Sequence, residues 1–244
     1  LKCILDGSYF RSLGLANLVE YDYFGWLAES PYVEKLLPAA GLIQEDLCAY
    51  DFENLPPQDL FGCLMAQLGR RSHRLLLGQE FTPSWLCDAM AKKTLNSLPE
   101  DESPRLVDMC CGSGGMVVAV CRRYSERLKE SGLQLGEPAG LARLTDAITG
   151  FDIDPLAVLL AKVNWAVTNR DWLTEGSRVS IPVYHADSLF VHVPFAEAKT
   201  PGDEYLLALH NGATLTLPEF LIQPSSRTLF DDLLSRAYSM SKAG

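Results

Sequence analysis

Several short stretches of the chain carry side chains at spacings suited to holding a nucleotide. The run 105–108 is apolar and ends in Asp108, and Cys111-Gly112-Ser113-Gly114-Gly115 follows at once. A glycine turn of this kind brings backbone N–H groups close to a ligand, because no Cβ stands in the way. It also occurs for purely structural reasons. The pattern Gly112-x-Gly114-Gly115 departs from the dinucleotide fingerprint, which needs glycine or alanine where Val117 stands. Nicotinamide and flavin chemistry therefore lose support.

Two further carboxylates end apolar runs. Gly150-Phe151-Asp152-Ile153-Asp154 places Asp152 where such groups accept hydrogen bonds from ribose hydroxyls, while Asp154, before Pro155, is read as a helix N-cap. Asp187 closes the run 181–186, where a carboxylate can accept a hydrogen bond from an exocyclic adenine amine; His185 is expected to pack or cap. The other histidines, His73, His192 and His210, have no partner at metal spacing, so no metal is assigned.

Positioning these groups requires strands that alternate with helices. Residues 105–108, 147–152 and 181–186 read as strands. Between them, Val117, Val120, Cys121, Tyr124 and Leu128 mark one helix face, and Leu156, Leu159, Leu160, Val163 and Val167 another. Such alternation implies a parallel sheet with right-handed crossovers and ligands beyond the carboxyl ends of the strands. Residues 131–146, with glycines at 132, 136 and 140 and Pro138, read as a loop or insertion. Upstream, Thr82 and Pro83 are expected as N-cap and first residue of a helix over 84–95.

The expected organisation is a helical segment over 1–75, an α/β core over 76–200, and a remainder over 201–244 that is an insertion or the start of further core. In the first part, Leu60, Cys63, Leu64 and Leu68 form a helical stripe that Gly69 stops, and the basic cluster 70–74 is a solvated face or a phosphate contact. In the last, 214–217 reads as a strand and 230–238 as a helix.

Of the 244 residues, 48% are hydrophobic and 21% charged, which excludes a disordered or fibrous chain. A formal charge of −10 means that any nucleic acid is gripped mainly elsewhere. The 7 cysteines include no Cys-x-x-Cys pair and fit a reducing cytoplasm. No apolar run approaches the roughly 20 residues of a membrane-spanning helix. The missing initial Met and the ending Ser-Lys-Ala-Gly suggest a piece of a longer protein.

In their order, these motifs resemble the gamma-class amino (N6-adenine) DNA methyltransferases of type I, type IIG and related restriction-modification and phage-defence enzymes. Tyr50-Asp51-Phe52-Glu53-Asn54-Leu55-Pro56, with Leu60 and Gly62, looks like their helical lead-in. Gly78-Gln79-Glu80-Phe81-Thr82-Pro83 looks like motif X, residues 108–115 motif I, Gly150 to Pro155 motif II, and Ala186-Asp187-Ser188-Leu189 motif III. The resemblance implies a Rossmann-like core that binds S-adenosyl-L-methionine. It implies that Phe81, Thr82 and Pro83 lie by the methionine part, with the turn that carries Asp108, Cys110, Gly112 and Gly114 beneath it. Asp152 would hold the ribose, Ile153 pack on the adenine, and Asp187 with Ser188 bind the adenine amine. The implied reaction is attack of a flipped base's amine on the sulfonium methyl.

One departure stands out. The family's motif IV, an Asn, Asp or Ser followed by Pro-Pro and an aromatic residue, is absent from 188–244, and the only Pro-Pro, Pro56-Pro57, belongs to the lead-in. No catalytic residue is assigned, and the tetrapeptide and a target-recognition domain are expected beyond residue 244. Double-stranded DNA would be gripped mostly outside this chain, alongside other subunits of a restriction or defence complex. The alternatives are an RNA or protein-glutamine methyltransferase sharing the motif set, or a non-catalytic cofactor-binding scaffold. The long lead-in favours DNA over the former, and the intact glycine and carboxylate positions argue against the latter.

Overall fold

The computed structural model describes residues 2–20, 25–51, 54, 58–68, 80–99, 103–189, 204–208, 214–233 and 236. Short helices α1 (Lys2–Leu5) and α2 (Ser8–Ser12) lead to α3 (Tyr32–Leu47), then to α4 (Gly62–Leu68) and α5 (Ser84–Asn96). Next come β1 (Leu106–Asp108), α6 (Gly115–Glu130), α7 (Pro138–Ala147), β2 (Ile148–Asp152), α8 (Pro155–Thr168) and β3 (Val183–His185). The three strands are parallel in the spatial order β1-β2-β3, with Asp108 paired to Gly150 and Asp152 to His185. Parallel neighbours require long crossovers, and the helices between the strands supply them. The carboxyl ends of β1, β2 and β3 therefore lie side by side.

The core follows the patterns in the sequence with two exceptions. In α6 the expected face, Val117, Val120, Cys121, Tyr124 and Leu128, is buried throughout. In α8 the expected stripe is not the buried one: Ala157, Val158, Ala161, Lys162, Asn164 and Trp165 face inward, and Leu156 is exposed. The cause is close approach to the glycine turn, where a Cβ on Gly114 would stand 3.0 Å from the Ala161 Cβ, so small residues must face it. Leu159, Leu160 and Val163 instead line an apolar hollow with Ile4, Phe10 and Leu18 of the N-terminal segment.

The second exception is α7, which falls where a loop was expected. Pro138 sits in the first turn, where its missing N–H costs nothing, and Gly140 is required because a Cβ there would overlap the Trp172 indole. The residues that read as loop punctuation are thus a helix start and a packing contact.

The N-terminal segment adds to the edge of the sheet beside β3. Leu15 bridges Val179, and the Asn17 side chain donates to Ile181 O (3.0 Å) and accepts from Ile181 N (2.7 Å). Lys162, 1% exposed, donates to Asn17 O at 2.7 Å and pairs with Glu20 at 2.9 Å. Burial lowers the Lys162 ammonium below its ordinary range, against the opposing pull of Glu20.

At the other end, β4 (Glu204–Ala208) and β5 (Thr214–Pro218) form a separate antiparallel hairpin, in which β5 matches the strand expected at 214–217 and β4 had no counterpart. A helical stretch over 227–233 starts three residues before the expected one. Its Arg227 donates to Thr145 O at 3.0 Å, and Asp232 pairs with Arg178 at 2.6 Å. Pro56-Pro57, Gly69, the basic cluster 70–74, Gly78, Gln79, His192, His210 and the helix end toward Tyr238 lie outside the described residues. No described helix is long and apolar enough to cross a membrane.

Candidate cofactor site at the strand tips

The glycine turn is built from both flanking strands. Cys111 N donates to Phe151 O at 2.8 Å, carrying the β1–β2 pairing one step past β1, and Gly114 N donates back to Cys111 O at 2.8 Å. Gly112 and Gly114 adopt φ of 54° and 89°, the left-handed region that favours glycine. Gly150 lets β2 approach, since a Cβ there would stand 3.1 Å from the Cys111 side chain.

Asp152 ties the second strand tip to this turn. Its Oδ2 accepts from Gly112 N at 2.7 Å and its Oδ1 from Asp154 N at 2.9 Å. A carboxylate offers about four lone-pair positions, so about two remain open to a ligand among the described residues. Asp154 is the N-cap of α8, accepting from Leu156 N at 2.9 Å, as its place before Pro155 indicated. Asp108, at the first tip, accepts from Cys110 N at 3.2 Å. Burial raises its carboxyl above the ordinary range, the Cys110 N–H partly opposes this, and the Asp152 charge pushes it further up.

The third tip joins through Ala186 N, which donates to Asp152 O at 3.0 Å, and His185 Nε2, which pairs with Ile153 O at 2.9 Å. His185 is thus half-buried with its ring held on a backbone carbonyl. The Ile153 side chain itself is 67% exposed between these tips. Asp187 is exposed and accepts from Leu189 N at 3.0 Å, with half-buried Ser188 between them.

From the other side, the Phe81 ring lies over the turn, 3.8 Å from where a Cβ on Gly112 would be. Thr82 does not cap the helix after it. Pro83 is the N-cap residue, and its carbonyl accepts from Leu86 N and Cys87 N, so the cap falls one residue later than expected while α5 still begins at Ser84. Thr82 O instead accepts from the Cys87 thiol at 3.7 Å. The buried thiols are poor nucleophiles: burial pushes Cys111 far above the thiol range and Cys121 up to about 12. Among the described residues, Phe81, Thr82 and Pro83 lie in the loop against the turn, and Asp108, Cys110, Gly112, Gly114, Asp152, Ile153, Asp187 and Ser188 lie at or just past the strand tips.

Two residues packed against this turn, Asp59 and Asn164, escaped notice in the sequence. Asp59, Ser113 and Asn164 form a hydrogen-bonded cluster behind the turn. The available signal was local: Asp59 sits two and three residues before Phe61 and Gly62, the spacing of a helix N-cap. Asn164 is a lone polar residue between Val163 and Trp165.

A helical N-terminal segment, a parallel three-stranded sheet flanked by helices, and polar tips gathered on one edge define a mixed α/β fold consistent with a methyltransferase core. The family model for N-6 DNA methylases matches residues 58–192, more than half of the chain, and the chain belongs to that family. Membership implies adenine-N6 methyl transfer to DNA with S-adenosyl-L-methionine as donor. The comparison with curated proteins found no match.

Proposed function

We propose that the three strand tips hold S-adenosyl-L-methionine in the gamma-class arrangement, within a DNA-adenine methyltransferase of a restriction-modification or phage-defence system. The observation that carries this reading is Asp152, fixed by Gly112 N while part of its carboxylate stays open, next to an isoleucine left 67% exposed. A ribose offers hydroxyl donors to such a carboxylate, and an adenine ring offers the flat apolar face that Ile153 lacks. Asp187 and Ser188 take the adenine amine. Asp108, Cys110, Gly112 and Gly114 run under the methionine end, and Phe81, Thr82 and Pro83 close over it.

When bound, the cofactor supplies an electrophilic sulfonium methyl group. The chain's own contribution is charge and shape: two carboxylates at neighbouring tips repel one another, and a cationic ligand relieves that repulsion. No residue of 188–244 carries the motif that orients a target amine, so base activation is assigned to chain outside these residues, with DNA and any partner subunits held there too.

Isothermal titration tests the assignment. The chain is expected to bind S-adenosyl-L-methionine near neutral pH and to bind it more weakly as the pH falls. The sign follows from Asp108, raised in the free protein by burial and by Asp152. A cation favours the ionised form, so binding is strongest above the raised pKa and is lost as the pH drops through it. A well-folded sample with no heat of binding contradicts the proposal.

A further inference from the structure

Behind the turn, one carboxylate gathers the lead-in, the glycine turn and α8. Asp59 Oδ1 accepts from Phe61 N (3.0 Å), Gly62 N (2.9 Å) and Asn164 Nδ2 (2.7 Å), and its Oδ2 accepts from Ser113 Oγ at 2.7 Å. Asn164, 0% exposed, also donates to Ser113 O at 2.8 Å and accepts from Leu60 N at 3.2 Å. Ser113, 2% exposed, thus has both its hydroxyl and its carbonyl held. Gly62 is required here because a Cβ would overlap the Asp59 carboxylate.

The placement matters for the turn's shape. Ser113 lies between Gly112 and Gly114, the two residues with positive φ. Asp152 holds the turn from the ligand side through Gly112 N, and Asp59 with Asn164 holds it from behind. A Cβ on Gly115 would lie 3.4 Å from Asp59 Oδ2 and 3.9 Å from Thr82 O, so the covering loop meets the turn at the same place. None of the bonds made by Asp59 and Asn164 reaches the tips of β2 and β3, where the nucleoside would sit.

We infer that Asp59 and Asn164 are positioning residues: through Ser113 they set the half of the cofactor site that takes the amino-acid end, without touching the cofactor. This rests on the S-adenosyl-L-methionine assignment above. A group that shapes only that half discriminates between ligands that have the amino-acid tail and ligands that lack it.

The test compares S-adenosyl-L-methionine with 5′-methylthioadenosine, which keeps the nucleoside and lacks the tail, by isothermal titration. Asp59→Ala is expected to weaken the former about tenfold, the scale of one hydrogen bond to a charged group, and to leave the latter nearly unchanged. Asp59→Asn retains an acceptor for the α4 N–H groups and for Asn164, and should recover most of the loss. Ser113→Ala removes only the hydroxyl bond from Asp59 to the turn and keeps the Asp59 cap of α4 and the Asn164 bond to the carbonyl of residue 113, so it gives the same split in a folded protein with a modestly lower melting temperature. If Asp59→Ala does not fold, Ser113→Ala decides alone. Equal weakening of both ligands, or weakening of neither, overturns the inference. A wild-type chain that binds neither ligand overturns the cofactor assignment and this inference with it.

Discussion

Asp152→Ala is expected to abolish measurable S-adenosyl-L-methionine binding while leaving a folded protein. The carboxylate has two tasks. It ties the glycine turn to the tip of β2 through Gly112 N and starts the entry to α8 through Asp154 N, at 2.7 and 2.9 Å. In the proposed complex it also accepts both ribose hydroxyls. Hydrogen bonds to charged groups contribute about 1.5–3 kcal/mol each, so losing the two ligand bonds costs at least a hundredfold in affinity on the scale of about 1.4 kcal/mol per tenfold. Loss of the turn tie adds to this by letting Gly112 relax. Asp152→Asn keeps one oxygen, and should fall between alanine and wild type. Titration of the three proteins, with thermal unfolding as the control for folding, measures the order; alanine binding as well as wild type would remove Asp152 from the site.

A large stability loss is expected from Gly140→Ala. Gly140 faces Trp172, which is 2% exposed and whose Nε1 donates to Ser125 Oγ at 2.8 Å, so the indole is held in place. A methyl group at 140 would occupy the space of that ring. Overpacking costs about 1–3 kcal/mol and occasionally more, and a ring pinned by both packing and a hydrogen bond places this change at the upper end. That corresponds to a fall in Tm of roughly 6–12 °C for a domain of this size. Gly132→Ala is the contrast: its φ is 94° but nothing lies within 4 Å of a Cβ, so only backbone strain of about 1–2 kcal/mol applies. Equal losses at the two glycines would contradict the packing described for α7.

Local signals that the fold does not override were legible in the sequence. The α6 face Val117, Val120, Cys121, Tyr124 and Leu128 was visible because one helix side meets the core, and the Asp154-Pro155 start of α8 because a cap is a short-range device. The alternation of strand and helix carried the parallel sheet. What failed depended on partners distant in sequence. The buried face of α8 is set by Gly114, which accepts only small neighbours such as Ala161, so hydrophobicity alone picked the wrong side. Helix α7 was hidden because Gly140 answers to Trp172, not to its own backbone. Asp59 and Asn164 meet across 105 positions, and neither residue alone signals the other.

In the proposed complex, three neighbouring strand tips receive one sulfonium nucleoside. A crystal structure of the chain with S-adenosyl-L-homocysteine tests it most directly. The expected result has the ribose hydroxyls on the Asp152 carboxylate, the adenine covering Ile153 beside Asp187, and the amino-acid tail over residues 110–114 beneath Phe81. A nucleoside seated elsewhere on the protein, with Ile153 still open to solvent, would contradict it.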